Sequence, residues 1–382
     1  MKEYFVENHS QLEALCKHLK EQPVIALDTE FLREKTYFAK LCLIQVASAE
    51  RIACVDPLAI EDIQLLLDVI YDPAITKVMH SARQDLEIFY DITGELPVNM
   101  YDSQIAATLL GFGDQIGYAN LLKDMLGIKL DKLHTRTDWS KRPLDEGQIQ
   151  YALDDVRYLI EIYHQQNKKL KENGREHWLA DDFNYLSNKS LYSAITAASW
   201  QRVRGSNSLK GVQLAVLQNL AEWREDVARQ TNRPKQWIIR DDALVEFSRR
   251  MPKDQNSLEA VRGWDSGFTK HTEQILAIIQ RAKNIPKEQW PTQPKRVSLS
   301  KEQEAIVDVL MAIVRLKAAE NTVTPSVLVN RKQLEKIVSG DYDCVVLMGW
   351  RKEIVGNELI AMLENNRLLS VKQGQLKLDV KI

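Results

Sequence analysis

The apolar residues change their period part-way along the chain, and that change restricts the fold more than any other feature. Before residue 110 they come in short, largely β-branched runs: VIALD at 24–28, LCLIQV at 41–46, IACV at 52–55 and KVMH at 77–80. Runs of this kind form strands of a sheet covered on both faces. Segments 11–19, 60–71 and 82–89 carry the spacing of helices and lie between or after the runs. Helical spacing then takes over, at 103–110, 118–126 and 146–166. Strands first and helices later predict an α/β domain whose mixed sheet carries helices on its faces.

A polar stretch at 184–193, followed by RGSNSL at 204–209, predicts the end of that domain. Beyond it the pattern is almost wholly helical, interrupted where Pro286, Pro291 and Pro294 cluster. The two segments flanking this break resemble each other. One runs WREDVA from Trp223, then Pro234, IIRDDAL to Leu244, and RGW to Trp264. The other runs VRLKAA from Val314, then Pro325, LVNRKQL to Leu334, and MGW to Trp350. An ordered repeat of about 90 residues predicts a duplicated helical domain. The expected limits are 1–200 for the α/β domain and 207–288 and 296–376 for the helical ones. With 382 residues, 45% of them hydrophobic, the chain is long enough for three such units.

Composition narrows the class. No run of apolar residues approaches the roughly 18 needed to span a membrane. The opening MKEYFVENHSQLEAL lacks the apolar core of a secretory signal, so none is expected. Cys16, Cys42, Cys54 and Cys344 show no C-x-x-C spacing, which argues against a disulfide scaffold or a thiolate zinc site and fits a reducing cytoplasm. The formal net charge of −2 conceals a split: residues 1–200 hold 21 basic and 31 acidic side chains, residues 201–382 hold 30 and 22. An acidic half suits divalent cations and a basic half suits a polyanion, although solvated helix faces produce the same counts.

The sharpest chemical signal is acidic. Asp28 and Glu30 stand two apart at the end of an apolar strand, so both carboxylates project from one face. Like charges so placed repel each other and lose hydration unless a cation lies between them, and Mg²⁺ or Mn²⁺ suits clustered carboxylate oxygens. Taken alone an Asp-x-Glu is weak evidence, and an exposed strand end explains an isolated instance better. Asp85 follows where the strand ending at His80 passes into a helix, a place where a carboxylate also opposes the helix dipole. Tyr151 and Asp155 lie four apart on one helix face, and Asp154 points elsewhere. Asp102 reads as a helix N-cap. Four carboxylates and a phenol suit phosphoryl displacement between two metal ions about 4 Å apart, with the phenol orienting the attacking water. No P-loop, Ser/His/Asp order or Cys–His pair offers a competing chemistry.

LDTEF around Asp28 and Glu30, HSARQDLEIF around Asp85 and YALDDV around Tyr151 and Asp155 resemble the three motifs of the DEDD exonuclease superfamily. The tyrosine is the mark of its DEDDy branch, and the helical repeats resemble HRDC modules. The resemblance implies a ribonuclease-H-like α/β domain followed by two all-α HRDC-type domains. It implies two divalent ions, Mg²⁺ or Mn²⁺. One would be held chiefly by Asp28, Glu30 and Asp155, and the second by Asp28, with Asp85 reaching it directly or through water. Tyr151 would orient or activate the nucleophilic water. The implied activity is a 3′–5′ exoribonuclease releasing 5′-monophosphates, in tRNA 3′ maturation and the trimming of small structured RNAs. A cytoplasmic monomer without membrane contact is expected.

The basic modules would grip the RNA backbone, with Arg202, Arg204, Lys210, Arg233, Lys235 and Arg240 as candidate phosphate contacts, a solvated helix face being the default reading of each. His80 is a candidate contact to the terminal nucleotide, or else a strand-end histidine satisfied by backbone. Trp223, Trp237, Trp264 and Trp350 either stack on bases or belong to the module cores. A DNA 3′–5′ exonuclease and a non-catalytic nucleic-acid-binding protein are the alternative readings.

Overall fold

Ile25, Ala26 and Leu27 are consecutive and fully buried, as are Leu43 and Ile44. Neighbouring residues of a strand point to opposite faces, so both faces of this sheet are covered. The computed structural model describes residues 1–130, 137–193, 196–261, 264, 266–293 and 298–381. Its main sheet is mixed and contains β1 (Lys2–Val6), β2 (Val24–Leu32), β3 (Lys40–Ala47), β4 (Arg51–Val55), β5 (Thr76–Met79) and β6 (Met100–Asp102) in the order β1-β4-β3-β2-β5-β6. β1 pairs with β4, β2 with β5 and β5 with β6, all parallel, whereas β3 and β4 are antiparallel.

The helices of this part are α1 (His9–Leu19), α2 (Gln64–Ile70), α3 (Arg83–Thr93), α4 (Ser103–Leu109), α5 (Tyr118–Leu126), α6 (Glu146–Arg157), α7 (Leu159–Glu172) and α8 (Glu176–Leu186). Three details depart from the sequence reading. The edge strands β1 and β6 were not anticipated. β2 continues to Leu32, so Asp28 and Glu30 lie within the strand rather than at its end. The single helix expected over 146–166 is divided at Tyr158, whose N–H donates to the Tyr118 hydroxyl at 3.3 Å. That side chain offers the backbone a partner outside the helix ladder, which stabilises the break.

The chain divides into two compact units. One comprises Met1–Glu30, Cys42–Asn188 and Arg296–Ile382; the other comprises Phe31–Leu41 with Lys189–Lys295. In the second unit α9 (Val212–Gln230), α10 (Lys235–Ile238), α11 (Asp241–Arg250), α12 (Gln255–Glu259) and α13 (Thr272–Lys283) enclose a core that includes Leu217, Leu220, Leu244, Phe247 and Ile279. The β2–β3 connection packs onto this module. Asn232 Oδ1 accepts the N–H groups of Tyr37 and Phe38, each at 3.1 Å, and the Tyr37 hydroxyl donates to Glu225.

In the first unit, the later helices are α14 (Lys301–Glu320), α15 (Pro325–Leu328), α16 (Arg331–Val338), α17 (Gly349–Arg351) and α18 (Asn357–Leu363). The two segments that resemble each other in sequence also share local backbone features. α9 and α14 have 19 and 20 residues, and each is followed by a residue with positive φ, Asn232 at 47° and Thr322 at 51°. Arg233 N–H bonds Ala228 O, and Val323 N–H bonds Ala318 O, at equivalent places. A four-residue helix beside a proline comes next in both. Arg262 and Gly263 of the first Gly-Trp, and Pro294, lie outside the described residues. Trp264 packs against Phe247, while Trp350 is fully buried. An antiparallel hairpin, β7 (Arg367–Lys372) and β8 (Gln375–Val380), follows the last helix and corrects the reading of this end as purely helical.

Candidate active site

Three local rules deliver the acids. The period of two along β2 sends Asp28 and Glu30 to one face. The first turn of α3 carries Asp85, which is 6% exposed. α6 begins with a capping box between Asp145 and Gln148, and this sets the register in which Tyr151 and Asp155 stand one turn apart.

Burial and neighbouring charge act on each of these groups. Burial pushes the Asp28 carboxyl well above its ordinary range, and the charges of Asp85, Asp155 and Glu30 add to the effect. Glu30 rises to about 8 through burial and then Asp155 and Asp85. Asp85 rises to about 7, mainly from burial, although a hydrogen bond from the Thr29 hydroxyl holds it back. Asp155 also reaches about 7, from burial and from neighbouring Asp154. The Tyr151 phenol is pushed up by burial and by Asp155, Glu30 and Asp28. Its ring lies 6.1 Å from that of buried Trp139.

The acids are therefore neighbours in a low-dielectric setting, where a concentration of like charge favours a counter-cation. Among the described residues no three such side chains are drawn into a finished metal-holding group. The donor set is all carboxylate with an adjoining phenol, which fits Mg²⁺ or Mn²⁺ rather than a softer metal.

Supporting residues surround the acids. Asp102 is the N-cap of α4, accepting from Gln104 N–H at 2.8 Å, as expected. It also accepts from Ser81 N–H at 3.1 Å and Ala82 N–H at 2.8 Å, thereby holding the turn that launches α3 and Asp85. Asp154 turns to the Arg157 guanidinium, 2.6 Å away. Tyr118, which the sequence reading did not single out, is pushed up by burial and faces the charges of Asp155 and Asp28. Only its place on an amphipathic helix marked it, and core tyrosines share that mark. Arg142 was likewise not foreseen: it forks onto Asp56 and reaches Cys42 O at 2.7 Å, anchoring the segment that precedes α6.

The candidate RNA contacts are scattered. His80 has both ring nitrogens engaged, with Ser103 Oγ at 2.9 Å and Ile116 O at 3.0 Å, in line with the satisfied-histidine alternative. Arg202, Arg204, Lys210, Arg233 and Arg240 are exposed. Lys235 lies 3.3 Å from Glu225 and Arg240 lies 3.6 Å from Asp242. Of the four tryptophans, Trp237 is 60% exposed, Trp223 and Trp264 are half-buried, and Trp350 belongs to the core.

Residues 4–171 match the model of a 3′–5′ exonuclease domain, and residues 213–279 match that of the HRDC domain. An exonuclease domain built on a mixed sheet and followed by an HRDC domain defines the class, a 3′–5′ exonuclease. Ribonuclease D of Sphingobium indicum is 36% identical over 379 residues, covering 98% of this chain and 97% of that one. Ribonuclease D of Granulibacter bethesdensis is 34% identical, covering 98% and 95%. The crystal structure of Escherichia coli RNase D, described as an exoribonuclease involved in structured RNA processing, superposes with a TM-score of 0.85 at 28% identity, covering 96% and 99%. The chain belongs to the ribonuclease D family and is a 3′–5′ exoribonuclease.

Proposed function

We propose that the chain removes nucleotides singly from RNA 3′ ends and releases 5′-monophosphates. In this reading Asp28, Glu30, Asp85 and Asp155 hold two divalent cations, Mg²⁺ or Mn²⁺. The observation that carries it is that burial, and then the like charges of one another, raise Asp28 and Glu30 beside Tyr151, an arrangement that a counter-cation relieves. Bound cations would supply acidification of water and stabilisation of the departing ribose oxyanion. Tyr151, kept protonated by burial and then by its acidic neighbours, orients the water with its hydroxyl. Trp139 and Tyr118 keep the surroundings of the acids poor in solvent, which strengthens each electrostatic interaction.

The exonuclease domain would occupy 1–200, with HRDC-type modules at 207–288 and 296–376. The matching backbone corners of the two modules support counting the second as HRDC-type. Exposed Arg202, Arg204, Lys210, Arg233 and Arg240 would contact phosphates, with Trp237 stacking on a base. Precursors of tRNA and small structured RNAs would be the substrates of a cytoplasmic monomer. No helix among the described residues is long and apolar enough to cross a membrane.

Digestion of 3′-labelled and 5′-labelled RNA in Mg²⁺ tests the polarity. The 3′ label is expected to leave at once as a mononucleotide, while the 5′-labelled strand shortens stepwise. Asp155→Ala is expected to reduce turnover to background while RNA binding persists, and Tyr151→Phe to lower kcat by about 10²–10⁴-fold. Full turnover in excess chelator would contradict the reading.

A further inference from the structure

Gln45 on β3 is fully buried, and among the described residues neither its Oε1 nor its Nε2 has a hydrogen-bond partner. A buried carboxamide normally has both ends satisfied, so an amide left with neither points to a partner taken up in another state. Its place in the sheet indicates which. Gln45 stands directly opposite Cys54 in the antiparallel β3–β4 ladder, and directly opposed residues project to one face.

That face is the one covered by α6. Phe5 pairs with Cys54 across β1 and β4, and Glu3, two residues earlier and so on the same side, binds Arg157 of α6 at 2.9 Å. The Cys54 thiol is pushed up by burial and then by the charges of Glu30 and Asp155. β3 is also the immediate neighbour of β2, the strand bearing Asp28 and Glu30. The unpartnered amide thus lies on the catalytic side of the sheet, one strand from two of the acids.

We propose that Gln45 is a positioning residue of the carboxylate site: its Nε2 donates to the ionised Asp28–Glu30 pair, directly or through one water, and holds those oxygens in their ligating orientation. This rests on the proposed function of the site and adds a residue that none of the sequence motifs contains. It also accounts for a polar side chain in the middle of an otherwise apolar strand, LCLIQVA.

The test uses the full chain and Gln45→Met, which keeps the volume and removes the amide. Calorimetric titration with Mg²⁺ alone is expected to show roughly 10-fold weaker binding, within the 10–100-fold range for residues that support metal ligands. kcat should fall with KM unchanged. The metal-free variant should melt no lower than the parent, because an unsatisfied amide has been removed. Gln45→Asn, which keeps the amide but shortens its reach, should fall between the two. The same titration on Asp155→Ala separates the two readings. Lost Mg²⁺ binding there with parental binding in Gln45→Met overturns the positioning role alone. Parental binding in both overturns the site as well.

Discussion

In the first repeat the chain leaves α9 through Asn232, whose side chain clasps the backbone of the β2–β3 connection at Tyr37 and Phe38. In the second repeat it leaves α14 through Thr322, and the same corner meets the exonuclease domain. Arg175 donates to Asn321 O at 2.5 Å and to Leu109 O at 2.9 Å, and the Thr324 hydroxyl bonds Asp114. A Cβ on Gly111, which has a φ of +86°, would collide with the Thr322 carbonyl, so these backbones approach as only glycine permits. The second module adds an apolar seam: Trp178 stacks on Trp350 at 4.3 Å and 7°, with Arg175 and Arg351 over the rings. Arg351 also binds Asp182 at 2.9 Å.

One backbone corner is thus used twice for different attachments. The first makes polar bonds to a loop, each worth about 1 kcal/mol. The second buries two indoles, each with 150–250 Å² of surface at about 25 cal/mol/Å². That contrast explains why residues 296–382 fall into one compact unit with the exonuclease domain while the first module forms its own unit with the 31–41 segment. The two segments share this corner, and a few side chains decide what each one holds.

Trp350→Ala should have the largest effect, a loss of about 3–5 kcal/mol in urea unfolding, reported by probes in the exonuclease domain as well as in the module. The half-buried counterpart Trp264→Ala should cost less and disturb only the first module; equal costs would break the comparison. Asn232→Ala comes next, at about 1–2 kcal/mol from two lost acceptor contacts and a strained positive φ. Hydrogen exchange should quicken at the Tyr37 and Phe38 amides, and unchanged exchange would remove the clasp.

A further difference between the two units is one of pH, and it runs in opposite directions in them. Asp85, Asp155 and Glu30 hold protons up to about 7, 7 and 8 when folded but only to about 4 when unfolded. The folded state therefore binds more protons between pH 4 and 8, and the metal-free exonuclease unit loses stability as pH rises through that window. Mg²⁺ should reverse this. In the first module, burial alone would raise Asp241, but bonds from Arg204 N–H and Arg224 outweigh it and leave the carboxyl below its usual range. Its contribution is present above pH 4 and lost as pH falls through the lowered value. Melting curves from pH 3 to 8, with and without Mg²⁺, check both signs.

Much of the candidate site was legible because the placement of its residues follows local periods. Asp28 and Glu30 obey the strand period, Tyr151 and Asp155 the helix period, and Asp102 is a cap readable from the residues beside it. β1 escaped notice because KEYFV mixes charge with apolar residues at a sheet edge, and β6 because three residues carry no period. Tyr118, Arg142 and Gln45 were invisible for a different reason: each matters through a neighbour distant in the chain.

Residue order determined which side chains share a face and where helices begin, because those properties depend on neighbours within about four positions. Tertiary structure decided which faces meet. The convergence of β2, α3 and α6 on one acidic centre, the break at Tyr158 and the unequal attachments of the two repeats arise from burial and charge between distant segments. No local pattern encodes those distances.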